Sequence, residues 1–219
     1  VALVGISFGG SYSIVAAGRP AVRDKVSAVL GFGSYADLAA LLQAWLADPS
    51  PPDPPSYAAG RRAVLLGNLD RLAPPGDRPQ LRAALKALLQ GKRPPRVGGL
   101  SPRGTLVWEA ARAEAPVPPV RARRLIEPLA ADIAVVRPGD AAPRAPVFLL
   151  HGAADPIIPP DNARALEARL AKAGVKTTVC VSSLFAHVEP TFQGRPSLFR
   201  AWPLLRFTAR FLKAAGLDP

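Results

Sequence analysis

The chain has 219 residues, 49% of them apolar, with 26 prolines, one cysteine, no methionine and a formal net charge of +12. That apolar share excludes a disordered chain, and the length suffices for one buried core carrying an inserted subdomain. The single cysteine, Cys180, excludes an internal disulfide framework and a cysteine-rich metal site.

The positive charge does not mark a nucleic-acid binder. Residues 1–37 hold three basic and two acidic side chains, residues 38–145 sixteen and nine, and residues 146–219 nine and five. No basic helix is interleaved with stacking aromatics, so no nucleic-acid partner is expected. Residues 1–18 are the longest uncharged run, but glycines and serines interrupt it, which makes a poor membrane span. Membrane association and oligomeric state are left open.

The first elements in chain order read as strand, sharp turn, helix and strand. Residues 1–6 are an apolar run of the kind a strand buried on both faces shows. The run opens the chain without a methionine, so a missing N-terminal segment is expected, and with it any targeting signal. The compartment is therefore left open, with the cytoplasm favoured. A small-residue helix is expected over residues 11–18, ended by Gly18 and Pro20, and a second buried strand over 26–32.

The middle zone, residues 38–144, holds seventeen of the prolines. Helical stretches at 37–47 and 80–89 are divided by proline clusters at 51–55, 74–75 and 94–95. Such a segment cannot supply central strands, so a helical cap or insertion is expected, with irregular linkers or a loop. Residues 145–219 return to alternation: strand 146–150, helix 161–173, strand 175–181 and a final amphipathic helix 196–215. Cys180 falls in the second of these strands, as a buried inert thiol. Strands alternating with helices predict an α/β fold, a mostly parallel sheet with helices on both faces.

Gly5-Ile6-Ser7-Phe8-Gly9 matches G-x-S-x-G between an apolar strand and a helix. A serine held on so tight a turn has strained backbone angles, and side chains two residues to either side are expected to collide. The hydroxyl then stands above the sheet, and the N–H of Phe8 is placed to stabilise an oxyanion. The competing reading is a phosphate-binding turn, but neither G-x-G-x-x-G nor Gly-Lys-Ser follows.

A serine nucleophile needs a base, and the base needs an orienting acid. There are two histidines. His151 ends the strand 146–150 and reads as structural; His187 follows the next strand and reads as the base. Asp155 follows the strand 146–150, and Asp37 follows the strand 26–32 as the alternative acid. Ser7, Asp155 and His187 each fall just after a strand, where loops of a parallel sheet converge, in the order expected with a nucleophile elbow. Glu189 reads as a solvated rim charge. In the middle zone Leu38, Leu41, Leu42, Trp45, Leu46 and Trp108 serve equally as its own core or as an acyl pocket. Arg61, Arg62, Arg123 and Arg124 read as solvated charges rather than a carboxylate clamp.

Residues 5–10, His151-Gly152-x-x-Asp155 with Ile157-Ile158-Pro159, and Phe185-x-His187 together resemble the second half of the α/β-hydrolase superfamily. The resemblance is strongest to its dienelactone-hydrolase-like and prolyl-oligopeptidase-like esterases and peptidases. It covers residues 1–37 and 145–215 and hardly touches the middle zone. It implies that residues 1–6 are the fifth strand of an eight-stranded sheet, the rest of the chain supplying strands six to eight. It implies also that a second oxyanion donor lies upstream of Val1, and that the middle zone is a cap inserted after the sixth strand. The expected activity is cleavage of a carboxylic ester, thioester or amide by Ser7, His187 and Asp155, with Phe8 binding the oxyanion and neither metal nor organic cofactor. The alternative is a binding or scaffold protein that keeps the fold without catalysis.

Overall fold

The computed structural model of the chain describes residues 1–47, 57–112, 114–140, 142–187, 189–191 and 198–217. The proline cluster at 51–55 and the expected helix start at 196–197 lie outside the described residues. The chain forms two compact units, residues 1–38 with 135–219, and residues 39–134.

In the first unit a parallel sheet runs in the order β1 (Ala2–Ile6), β2 (Ala28–Phe32), β3 (Val147–Gly152) and β4 (Thr177–Ser182). Leu30 pairs with Val4 on one side and Phe148 on the other, so β2 and β3 lie inside the described sheet. Alternate residues serve opposite faces. Val29, Val147 and Leu149 meet Ile14 and Ala17 of α1 (Phe8–Gly18) and Leu166 and Leu170 of α10 (Asp161–Lys172). Ala28, Phe148, Leu150 and Cys180 meet Phe207 and Phe211 of α11 (Leu198–Ala215). Helices thus cover both faces of the sheet. Phe148 lies edge-on to Phe207 at 5.7 Å and to Phe211 at 5.5 Å. Burying each such ring contributes about 1.5–3 kcal/mol. Cys180 is buried, and burial raises its thiol pKa.

Two expectations change here. β1 is an edge of the described sheet, and Val4 and Ile6 are 60% and 56% exposed rather than buried on both faces. An apolar run shows that a strand can be buried on two sides, not which neighbours cover it. The first helix begins at Phe8, three residues before the expected start. Glycine weakens a helix by about 1 kcal/mol, which hides the start at Gly9 and Gly10, but packing holds it there. A Cβ on Gly10 would overlap Ser34 Oγ and lie 3.1 Å from Gly31 Cα, so the glycine lets helix and strand approach. The short α2 (Pro20–Arg23) follows before β2.

The second unit is helical: α3 (Leu38–Ala47), α4 (Tyr57–Gly67), α5 (Leu69–Leu72), α6 (Arg78–Leu89), α7 (Pro102–Arg112), α8 (Pro119–Ile126), a 3-10 turn Glu127–Leu129 and α9 (Ala130–Val135). Pro79, Pro102 and Pro119 stand in first turns, where the missing N–H costs no helical hydrogen bond. Leu41, Leu42, Trp45 and Leu46 are buried with Leu65, Leu69 and Leu72, as a core. Arg61 corrects the expectation of a solvated charge: it is 2% exposed and donates from Nη1 to the Trp45 carbonyl at 2.7 Å. Arg62 donates to the Ala111 carbonyl, and Arg123 and Arg124 are exposed.

Residues 135–144, expected in the insertion, go with the first unit. Tyr35 donates its hydroxyl to the Val136 carbonyl at 2.9 Å, and Arg137 pairs with Asp37 at 3.1 Å.

Candidate active site

The turn at Ser7 joins β1 to α1. Ser7, half-buried, has φ 55° and ψ −128°, and no other described non-glycine residue has a positive φ. Such a backbone costs about 1–3 kcal/mol and must be held by its surroundings. Its N–H donates to the Phe32 carbonyl at 2.6 Å, and its carbonyl accepts from Gly10 N–H at 3.0 Å. Of the two motif glycines only one is sterically required. A Cβ on Gly5 would overlap the Gly9 carbonyl, whereas a Cβ on Gly9 would meet nothing within 4 Å. Phe8 is the first residue of α1, so its N–H belongs to the positive end of the helix.

His187 comes from the loop after β4. Leu184 N–H donates to Ser182 Oγ, Thr191 N–H to the Leu184 carbonyl, and Ala186 N–H to the Glu189 carbonyl, which ties Glu189 and Thr191 back to the residues just after β4. The Phe185 ring stands edge-on to Phe32 at 5.2 Å. Gly152 lets this loop close on β3, since a Cβ there would overlap the Ala186 carbonyl. Gly33 has φ 62°, and a Cβ on it would lie 3.1 Å from His187 Cε1. The imidazole therefore rests against bare backbone.

Asp155 comes from the turn after β3. Asp155 Oδ1 accepts from the N–H groups of Ile157 at 2.8 Å and Ile158 at 2.9 Å. Its Oδ2 accepts from His187 Nδ1 at 2.6 Å, and His187 Nε2 lies 2.9 Å from Ser7 Oγ. A carboxylate only accepts, so neutral His187 carries its proton on Nδ1, leaving Nε2 to accept from the serine. Burial by itself raises the Asp155 pKa; hydrogen bonds from His151, His187 and the Ile158 and Ile157 N–H groups outweigh it and hold the pKa at about 2.

Ser7, His187 and Asp155, singled out in the sequence, thus meet in one hydrogen-bonded chain. Asp37 lies apart from it, paired with Arg137 at 3.1 Å and Arg169 at 3.5 Å. His151 faces Asp155 and the Ile158 carbonyl, not Ser7. Glu189 is exposed. Sequence reasoning did not find the His151–Asp155 contact: spacing of four residues brings side chains together on a helix, but this segment is strand and turn. Gly33 and Gly152 were also missed, because the atoms they accommodate belong to distant segments.

Solved structures share this architecture. The rice cell wall degrading esterase LipA from Xanthomonas oryzae matches over 98% of this chain and 59% of its own, at 16% identity and a TM-score of 0.56. Its ligand-bound form matches over 98% and 58%, at 16% identity and a TM-score of 0.54. The chain has the α/β-hydrolase fold. It spans less than two thirds of the length of those structures. No family model matches the chain, and no curated protein matches it. At such identities the likeness concerns the fold, and chemistry must be argued from the site itself.

Proposed function

We propose that the chain carries the active site of a serine hydrolase that cleaves a carboxylic ester, or a thioester or amide, through Ser7, His187 and Asp155. The observation that carries this reading is the hydrogen-bonded chain from Asp155 through His187 to a serine held at φ 55°. A buried histidine between a carboxylate and a hydroxyl has no need of a strained serine for stability alone, whereas a nucleophile does. The esterase named among the fold neighbours supports the same class.

In the proposed reaction His187 Nε2 takes the hydroxyl proton as Ser7 Oγ attacks the acyl carbon. The carbonyl oxygen becomes an oxyanion, stabilised by Phe8 N–H at the start of α1. The imidazolium gives its proton to the leaving oxygen, sulfur or nitrogen, and the acyl group stays on Ser7. Water, deprotonated by His187, then releases the acid and restores the serine. Asp155, with its low pKa, stays ionised throughout, fixes the Nδ1–H tautomer and favours the imidazolium.

Fluorophosphonate labelling of the full chain, read by peptide mass spectrometry, tests the proposal. One adduct on Ser7, lost in His187→Ala, is the expected result. Ser7→Ala is expected to lower kcat on the order of a millionfold. No adduct on a folded protein, or near-wild-type turnover by Ser7→Ala, removes the reading.

A further inference from the structure

His151 is a buried polar group beside Asp155 that the proposed reaction leaves unused. It is the last but one residue of β3 and is 1% exposed. Its Nε2 lies 2.8 Å from the Ile158 carbonyl oxygen and 3.3 Å from Asp155 Oδ2. Both neighbours accept only, so Nε2 carries the proton, donates to the Ile158 carbonyl and faces Asp155 Oδ2. Burying a histidine at the end of a central strand among apolar residues is unfavourable unless it is hydrogen-bonded, and here both partners belong to the turn that carries the acid.

We propose that His151 is a positioning residue: its Nε2–H ties the Asp155 carboxylate to the Ile158 carbonyl and so sets how strongly Asp155 acts on His187. The proposal rests on the reading of Ser7, His187 and Asp155 given above. The turn is closed from both sides. Asp155 Oδ1 accepts the Ile158 N–H, while His151 takes up the carbonyl of that same residue. Oδ2 is then shared by two imidazoles, at 2.6 Å from His187 and 3.3 Å from His151.

Two effects follow. First, the carboxylate is held with Oδ2 towards His187 Nδ1, and loss of that aim misplaces the base relative to Ser7. Second, an oxygen that already accepts one hydrogen bond is a weaker partner for another cation. Removing the His151 donor leaves Oδ2 to His187 alone and favours the His187 imidazolium. The acid limb of kcat/KM then moves to higher pH. Among the described residues the titratable side chains facing Asp155 are His151 from β3 and His187 from the loop after β4; the loop after β2 brings Gly33, and the start of α1 brings Ser7.

Two variants of the full chain separate positioning from filling. His151→Phe keeps a ring without the donor, and His151→Gln keeps an amide N–H of similar reach. Both are assayed with p-nitrophenyl acetate across pH, and the downfield His187 Nδ1–H proton resonance is recorded. His151→Phe is expected to lower kcat by about tenfold to a hundredfold with KM nearly unchanged, to move the acid limb up and to shift the resonance. His151→Gln is expected to restore most of kcat and both wild-type signatures. A folded His151→Phe protein with wild-type kcat and acid limb overturns the proposal. If His151→Phe does not fold, a folded His151→Gln protein decides: wild-type acid limb and resonance support the proposal, and displacement of either overturns it. Absence of Ser7-dependent turnover in the wild type sinks the hydrolase reading instead, while the resonance still reads the His187–Asp155 bond without turnover.

Discussion

The loops after β2 and β3 each place an aspartate beyond the carboxyl end of a parallel strand, and the two carboxylates keep different company. Asp37 lies between Arg137 and Arg169, where the chain leaves the first unit and where it returns. Among the described residues Asp155 pairs with no guanidinium; it is buried, accepts from two backbone N–H groups and from His187, and lies 3.3 Å from His151 Nε2. A carboxylate between two arginines is a structural tie, because its partners keep their charge at any accessible pH. One that faces a histidine can favour a charge that appears during a reaction. The partners, and not the residue type or its place after a strand, separate the two roles.

The widest separation is expected in kinetics. Asp155→Asn should lower kcat by about ten-thousandfold, since an amide misorients the His187 tautomer. Asp37→Asn should change kcat by no more than about threefold, because partly exposed ion pairs contribute little. Comparable losses in both variants would erase the distinction drawn between the two loops.

A smaller contrast lies in the elbow glycines. Gly5→Ala forces a Cβ into the Gly9 carbonyl and is expected to cost about 3 kcal/mol, read by urea unfolding. Gly9→Ala has open space on a helix, so it should be neutral or stabilise by up to about 1 kcal/mol. Equal destabilisation by both would mean that the motif acts through something other than this overlap.

The third difference concerns acid stability. Asp155 is depressed to about 2 in the folded chain, against about 3.9 in an unfolded one. A depressed carboxylate contributes stability that is present above the unfolded value and lost as pH falls through the folded one. About 2 kcal/mol should therefore disappear between roughly pH 5 and pH 2, and Asp155→Asn should flatten that part of the curve. An unchanged slope in the variant would assign the acid sensitivity elsewhere.

The succession of strands along the chain and the places of Ser7, Asp155 and His187 after them were legible because their signals are local. Short apolar runs bounded by turns mark β1 to β4, and Ser7, Asp155 and His187 each lie a few residues past one of them. The helical middle was legible as a class, since prolines exclude central strands, and the stretches 37–47 and 80–89 match two of its helices within two residues, but the helices that open on Pro102 and Pro119 were not foreseen. The same proline breaks a helix interior and suits a first turn, and only packing decides which. Arg61 shows the limit for charge: its burial depends on Trp45, sixteen residues away, offering a carbonyl.

What the residues dictate by themselves is the alternation of apolar segments, the tight turn at Ser7 and the supply of an aspartate and a histidine after later strands. These follow from side-chain period and backbone sterics, which act over a few residues. Only the folded chain decides that Gly5 is required and Gly9 is not, that Asp155 rather than Asp37 faces His187, and that His151 shares the carboxylate. Each of those outcomes depends on distances between atoms far apart in sequence, and close packing of the strands and helices is what sets them.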